Sequence, residues 1–359
     1  MTRAVAIETA RLSALFEAQG ARSVDADTLL SADTLLDLYG EDIRGRAYLT
    51  TDPFGGEMVL RPDFTVPIVQ MHMDSAADPA RYTYAGRVFR KQEDDPDRQR
   101  EAMQVGFEVF DGSDPADADA TVFAALADAL TGLPVRAATG DIGILMAAVA
   151  GLQTSDTRKA ALLRHLWRPR KFRALLDRFG GRTPPTPSRL ALLAQTDPLA
   201  KVAASIGLRS DAEVQARIDA LRADAATPAI REDEMAMIDA ILALNESCPH
   251  VLSGLRDIAV DLPAIGTAVD AFTARLDALD AKGINIDTLP FEGSYGRTSL
   301  EYYDGFVFGF YATDDPHMPP VATGGRYDAL TARLGAGRAV PAVGGVVRPD
   351  LVTVLRGDR

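Results

Sequence analysis

The stretch Gly86–Gly112, GRVFRKQEDDPDRQREAMQVGFEVFDG, decides the fold. Aromatic and β-branched residues alternate with polar or small ones on either side of a charged segment, which predicts two strands joined by a loop. Each strand sets a charged or amide side chain among apolar ones: Arg90 in the first, Gln104 and Glu108 in the second. Burying such groups is costly unless they find partners. The stretch therefore points to a sheet face on which polar groups are held together.

Neighbouring segments extend this sheet. RYTYAGRVFRKQ (81–92) and AMQVGFEVFDG (102–112) are its strands, and MVLRPDFTVPIVQMHM (58–73) starts as a strand, with Pro62 and Pro67 bracketing a turn into a helix. DPADADATVFAALADAL (114–130) has an Asp cap followed by Val122, Phe123, Leu126 and Leu130 at helical spacing. Strands on consecutive segments, rather than alternating with helices, imply an antiparallel sheet in an α+β fold. Residues 138–276 read as helix-rich: DIGILMAAVAGL, DTRKAALLRHLW, RKFRALLDRF and EDEMAMIDAILAL carry apolar residues three and four apart, with GGRTPPTPS as a breaker. From Gly283 strands return in NIDTLPFEG, YYDGFVFGFYAT and PAVGGVVRPDLVTVL, while GGRYDALTARLG reads as a glycine turn into a short helix. The expected architecture is a discontinuous core, residues 1–137 and 277–359, with a helical insertion at 138–276.

The totals exclude several classes of function. The chain has 359 residues, 47% hydrophobic and 25% charged, a globular composition with room for two domains. The net charge of -13 argues against nucleic acid, which is bound through basic footprints. The cluster RHLWRPRKFR (164–173) reads as a solvated helix face with Leu166, Trp167 and Phe172 packing inward. One cysteine, Cys248, rules out a disulfide framework and fits a reducing cytoplasm. The N-terminus reads as an amphipathic helix without a signal-peptide core, and no apolar run is long enough for a bilayer. The four histidines lie far apart, so no metal or other cofactor is expected. No P-loop or dinucleotide fingerprint appears in its proper setting.

What remains is Asp63, Thr65, Arg90, Gln104 and Glu108, with Tyr302 and Tyr303. Each alone has an ordinary structural explanation. Together they make a pocket in which carboxylates and amides grip an ammonium group. A carboxylate beside a tyrosine would orient an imidazole through both ring nitrogens.

Several segments carry a family resemblance. LRPDFTVP resembles the R-P-E-x-T segment of histidyl-tRNA synthetases, and GRVFRKQ with RQREAMQVGFEVFDG resembles their class II motif 2. SLEYYDGFVF resembles their L-D-Y-Y segment, TGGRYDAL their G-G-R-Y-D turn, and AVGGVV the start of motif 3. The resemblance implies a class II synthetase-like antiparallel sheet flanked by helices. It also implies that Asp63, Thr65 and Gln104 lie near an amino group, that Glu108 and Tyr303 face an imidazole, and that Arg90 is the motif 2 arginine.

The departures narrow it. Aligned on Leu300, the arginine that helps activate the amino acid is Thr298, with Arg297 next door; on a strand these two would face opposite sides. The motif 3 arginine is Leu351, with Arg348 out of register. Adenylation needs such positive groups. The sequence also stops a few residues after motif 3, where a synthetase continues into an anticodon-binding domain. This combination resembles the regulatory subunits of ATP phosphoribosyltransferase. That resemblance implies a non-catalytic partner of the short catalytic subunit, self-association, L-histidine as ligand, and a role in the first step of histidine biosynthesis. Two rivals stand beside it: an amino-acid-adenylating paralogue, kept open by Arg61, Arg90 and Arg100, and a stand-alone histidine-sensing module.

Overall fold

The computed structural model describes residues 2–39, 43–75, 79–91, 99–200, 209–298 and 302–357. The charged loop at 92–98, and Leu300 with its neighbours Ser299 and Glu301, lie outside them. The strands are β1 (Arg22–Ser23), β2 (Leu29–Ser31), β3 (Leu49–Asp52), β4 (Gly56–Leu60), β5 (Ala80–Phe89) and β6 (Glu101–Phe110). They continue with β7 (Val135–Asp141), β8 (Asn245–Ser247), β9 (Pro290–Glu292), β10 (Phe306–Ala312), β11 (Ala322–Arg326) and β12 (Ala342–Val347). Nine of them form one sheet in the order β1-β5-β6-β12-β11-β10-β7-β9-β8; β2, β4 and β3 form a separate small sheet. Among the described residues of the large sheet only β1–β5 and β7–β9 pair in parallel.

The register explains the division of labour between the two faces. Tyr84 pairs with Gly106 and Gly86 with Gln104, while Glu108 pairs with Gly344 on its other side. With a side-chain period of two, Gln104, Gly106 and Glu108 share one face and Val105, Phe107 and Val109 the other. The apolar face packs against helices Arg3–Ala18 and Pro115–Ala129, with Phe16 stacked on Phe107 at 5.3 Å. Each such fully buried phenylalanine contributes about 1.5–3 kcal/mol. The helix at 115–129 is capped as its sequence predicts: the Asp114 carboxylate accepts from the Asp117 amide.

Three readings change. Helix Thr65–Ser75 starts before Pro67, which sits in its first turn, where no amide donor is needed. The TGGR segment is strand β11 rather than a turn, because its glycines admit neighbouring rings: a Cβ on Gly324 would come within 2.4 Å of Phe308, and one on Gly325 within 2.7 Å of Tyr303. After β12 the chain turns helical over Pro349–Arg356, with Pro349 in the first turn and Arg348 extended before it.

The helical region is bonded to the sheet through charge. Arg275, on helix Gly266–Ala281, donates to Asp119 (2.9 Å) and Asp141 (2.7 Å). Arg326 donates to Asp119 (2.7 Å) and Asp328 (3.0 Å). All but Asp328 are buried. The R and D of the GGRYD segment are thus structural. Strand β7 carries Asp141 at its end, and the same carboxylate caps helix Ile142–Gly151 through the Gly143 amide at 2.8 Å.

Candidate functional site

The polar face of the sheet opens into a cavity of about 830 Å³, within the usual range for ligand pockets. All seven residues singled out from the sequence line it: Asp63, Thr65 and Arg90 from the segments around β4 and β5, Gln104 and Glu108 from β6, and Tyr302 and Tyr303 from the segment before β10. Six are buried and Arg90 is half-buried.

Asp63 sits just before helix Thr65–Ser75. Burial pushes its carboxyl up, and the Arg90 charge pulls it partly back. Arg90 is tied to the same segment, its Nε donating to the Pro62 carbonyl at 2.8 Å. Tyr302 donates to the Thr65 hydroxyl at 3.2 Å, and its ring meets Tyr303 edge-on at 4.8 Å. Gln104 is 2% exposed, and its Oε1 has no hydrogen-bond partner among the described residues. A buried acceptor left open in a cavity is the complement of a donor on a ligand.

Glu108 is the centre of the site. Its Oε1 accepts from Tyr84 (2.8 Å) and its Oε2 from Tyr327 (2.6 Å). Each carboxylate oxygen takes two donors, so a second on each is still possible. Two glycines make this arrangement fit: a Cβ on Gly106 would come within 2.1 Å of the Tyr84 ring, and one on Gly344 within 1.4 Å of Glu108 Oε2. Tyr84 and Tyr327 were not singled out from the sequence. The signal for Tyr84 is the glycine in the middle of a strand, which marks a close approach; Tyr327 had none beyond its place after the glycines.

Burial raises the Glu108 carboxyl to about 7, the two tyrosine hydrogen bonds lowering it and the nearby Asp63 charge raising it. Between its ordinary 4.5 and about 7 the folded chain holds a proton that the unfolded chain has released. Glu108 therefore adds stability below this window, and the contribution is lost as pH rises through it. The stability of the parent relative to Glu108→Gln, measured by urea denaturation from pH 5 to 8, is expected to fall as pH rises; a flat difference would show that Glu108 does not titrate there.

The activating positions are also placed. Residues 293–298 form a turn, not a strand, so Arg297 and Thr298 both line the cavity instead of facing opposite sides. Arg348 reaches the cavity but donates to the Pro320 carbonyl (2.6 Å) and the Thr323 hydroxyl (3.3 Å). Leu351 packs on the core. In the basic cluster Leu166 and Phe172 are buried and Trp167 is partly so. Among the described residues no acidic, histidine or cysteine cluster is placed to hold a metal ion. No helix there is long and apolar enough to cross a membrane.

The histidyl-tRNA synthetase family model matches residues 2–226 and 211–352. The fold superposes on an ATP phosphoribosyltransferase regulatory subunit/histidyl-tRNA synthetase from Bacillus halodurans with a TM-score of 0.68 at 20% identity, covering 98% of this chain and 79% of that one. It also superposes on histidyl-tRNA synthetase from Nostoc sp. PCC 7120 with a TM-score of 0.65 at 15% identity, covering 99% and 72%. The architecture is that of a class II, histidyl-tRNA synthetase-like protein. The ATP phosphoribosyltransferase regulatory subunit of Mesorhizobium japonicum is 31% identical over 368 aligned positions, covering 97% of this chain and 96% of that protein. That of Brucella ovis is 31% identical, covering 95% of each. The chain belongs to the family of ATP phosphoribosyltransferase regulatory subunits.

Proposed function

We propose that the chain acts as the non-catalytic regulatory subunit of an ATP phosphoribosyltransferase, a glycosyltransferase complex, and binds L-histidine in the cavity around Glu108. Its partner is the short catalytic subunit of that enzyme. The complex carries out the first step of histidine biosynthesis in the cytoplasm, and histidine feeds back on it through this chain, which also self-associates. The observation that carries the ligand is the open acceptor of Gln104 beside the carboxylates of Asp63 and Glu108: an ammonium group supplies the missing donors, and the Tyr–Glu–Tyr group presents a carboxylate to an imidazole N–H. Regulation follows if histidine binds unequally to the partner's active and inactive states, since a ligand shifts an equilibrium only by its differential affinity.

Leu351, packed on the core at the motif 3 position, and Thr298 at the activating position speak against adenylation. Titration calorimetry is expected to show L-histidine binding and no ATP binding, and pyrophosphate exchange into ATP should stay at background. Gln104→Leu should weaken L-histidine by about tenfold, the worth of one hydrogen bond to a charged group. Reconstitution with the short catalytic subunit tests the role itself: phosphoribosyl transfer that neither rises with this chain nor becomes histidine-sensitive sinks it.

A further inference from the structure

Helix Asp328–Leu334 begins without a cap of its own. Its N-cap residue is Tyr327, whose side chain makes no capping hydrogen bond and gives its hydroxyl to Glu108 instead. The first amides of a helix need acceptors. Here Asp304, 24 residues from Asp328, supplies them: its Oδ1 accepts from the Asp328 amide at 3.1 Å and its Oδ2 from the Ala329 amide. The Asp304 amide donates in turn to the Arg326 carbonyl at 3.0 Å. Asp304 also directly follows Tyr303, which lines the cavity and feels the Glu108 charge. One carboxylate thus ties the backbone beside Tyr303 to the backbone beside Tyr327. The charged groups facing it are Asp328, on the helix, and Arg326, at the end of β11. Arg326 is bonded to Asp119 and Asp328, not to Asp304. Burial, then the Asp328 charge, raises the Asp304 carboxyl from 3.8 to about 6, against the pull of the two amides and Arg326.

We propose, resting on the amino-acid site above, that Asp304 is a positioning residue for the ring end of the cavity: its negative charge sets where Tyr303 and Tyr327 stand around Glu108, and ligand affinity depends on that charge. An anion is what the N-terminus of a helix favours. While Asp304 is ionised, both amides are held and the Tyr327 hydroxyl reaches Glu108 at 2.6 Å. Protonation removes the charge and turns one oxygen into a donor, so one amide loses its acceptor. The start of the helix and the segment carrying Tyr303 are then no longer stapled together, and the groups around Glu108 loosen.

L-histidine is titrated calorimetrically into the full-length parent and into Asp304→Asn at pH 8 and pH 5. The amide is isosteric and neutral, so it copies the protonated side chain at every pH. At pH 8 the variant should bind about fivefold more weakly, the effect of one anion at a helix N-terminus, and at pH 5 the two should agree within about twofold. Glu108 and the imidazole of the ligand titrate in both experiments, so the ratio isolates Asp304. In a Tyr327→Phe background the pH 8 difference should vanish, because the hydroxyl through which Asp304 acts is gone; additive losses would reduce Asp304 to an ordinary helix cap. Asp304→Ser, a shorter neutral cap, takes over if the amide variant does not fold. Without ligand, the near-UV circular dichroism of the tyrosines should differ between parent and variant at pH 8 and converge at pH 5. That signal without any histidine binding would uphold the positioning and sink the amino-acid reading. Histidine binding with a ratio near one at pH 8, or a ratio indifferent to pH, would sink the positioning and leave that reading standing. Neither binding nor a dichroic difference would overturn both.

Discussion

Replacing Arg275 by methionine is expected to destabilise the fold by about 3–5 kcal/mol, the cost of leaving buried charges without their partner. Arg275 is 4% exposed and faces two carboxylates, Asp119 at 2% and Asp141 at 7%. The substitution keeps much of the apolar bulk against Phe306, whose ring centroid lies 4.5 Å from the guanidinium carbon. What is lost is the charge and three hydrogen bonds. Arg326 still serves Asp119, so Asp141 is the carboxylate left exposed to the loss. Pairing Arg275→Met with Asp141→Asn should recover part of the stability, because a neutral amide costs less to bury than an orphaned carboxylate. Equilibrium denaturation of the two variants checks this; a single variant within 1 kcal/mol of the parent would show that the network is not what docks helix Gly266–Ala281 on the sheet.

Gly344→Ala is expected to disable the cavity. The added Cβ would come within 2.3 Å of the Glu108 carboxyl carbon as well as its Oε2. The side chain must swing away, and both tyrosine hydroxyls then lose their acceptor. Overpacking of this kind costs about 1–3 kcal/mol. Binding of L-histidine should weaken by about 100-fold, as expected when hydrogen bonds to a charged group are withdrawn. Calorimetry on protein shown to be folded by circular dichroism reads the effect, and unchanged affinity would place the ligand away from Glu108.

Much of the site was legible because strand periodicity is a strong signal. Gln104 and Glu108 stand four apart in an alternating segment, so one face had to take both. Asp63, Thr65, Tyr302 and Tyr303 stand out as polar residues within apolar, strand-like segments, and they line the same cavity. The contact of Tyr327 was not legible, since its hydroxyl meets Glu108 only through the pairing of β6 with β12 and of β12 with β11, while that of Tyr84 hung on the exact register of β5 on β6. Strand β7, VRAATGD, was hidden by its small residues, which lack a marked apolar alternation. In β11 the glycines look like a turn, yet they are there to let Tyr303 and Phe308 approach. The position of Arg297 depended on whether 293–298 were strand or turn, and only the fold decides that.

The tyrosine on the far side of Glu108 has a consequence for synthesis of the chain. Tyr327 follows Glu108 by 219 residues. At about 5–20 residues per second, translation needs roughly 10–45 seconds to cover that distance. For that interval β6 has β5 on one side and an open edge on the other, where β12 will later pair. An open edge with a half-satisfied carboxyl is a place where a nascent chain can pair wrongly. The cavity is thus among the last features to be completed on the ribosome, and a chaperone that shields this edge would act before any ligand could.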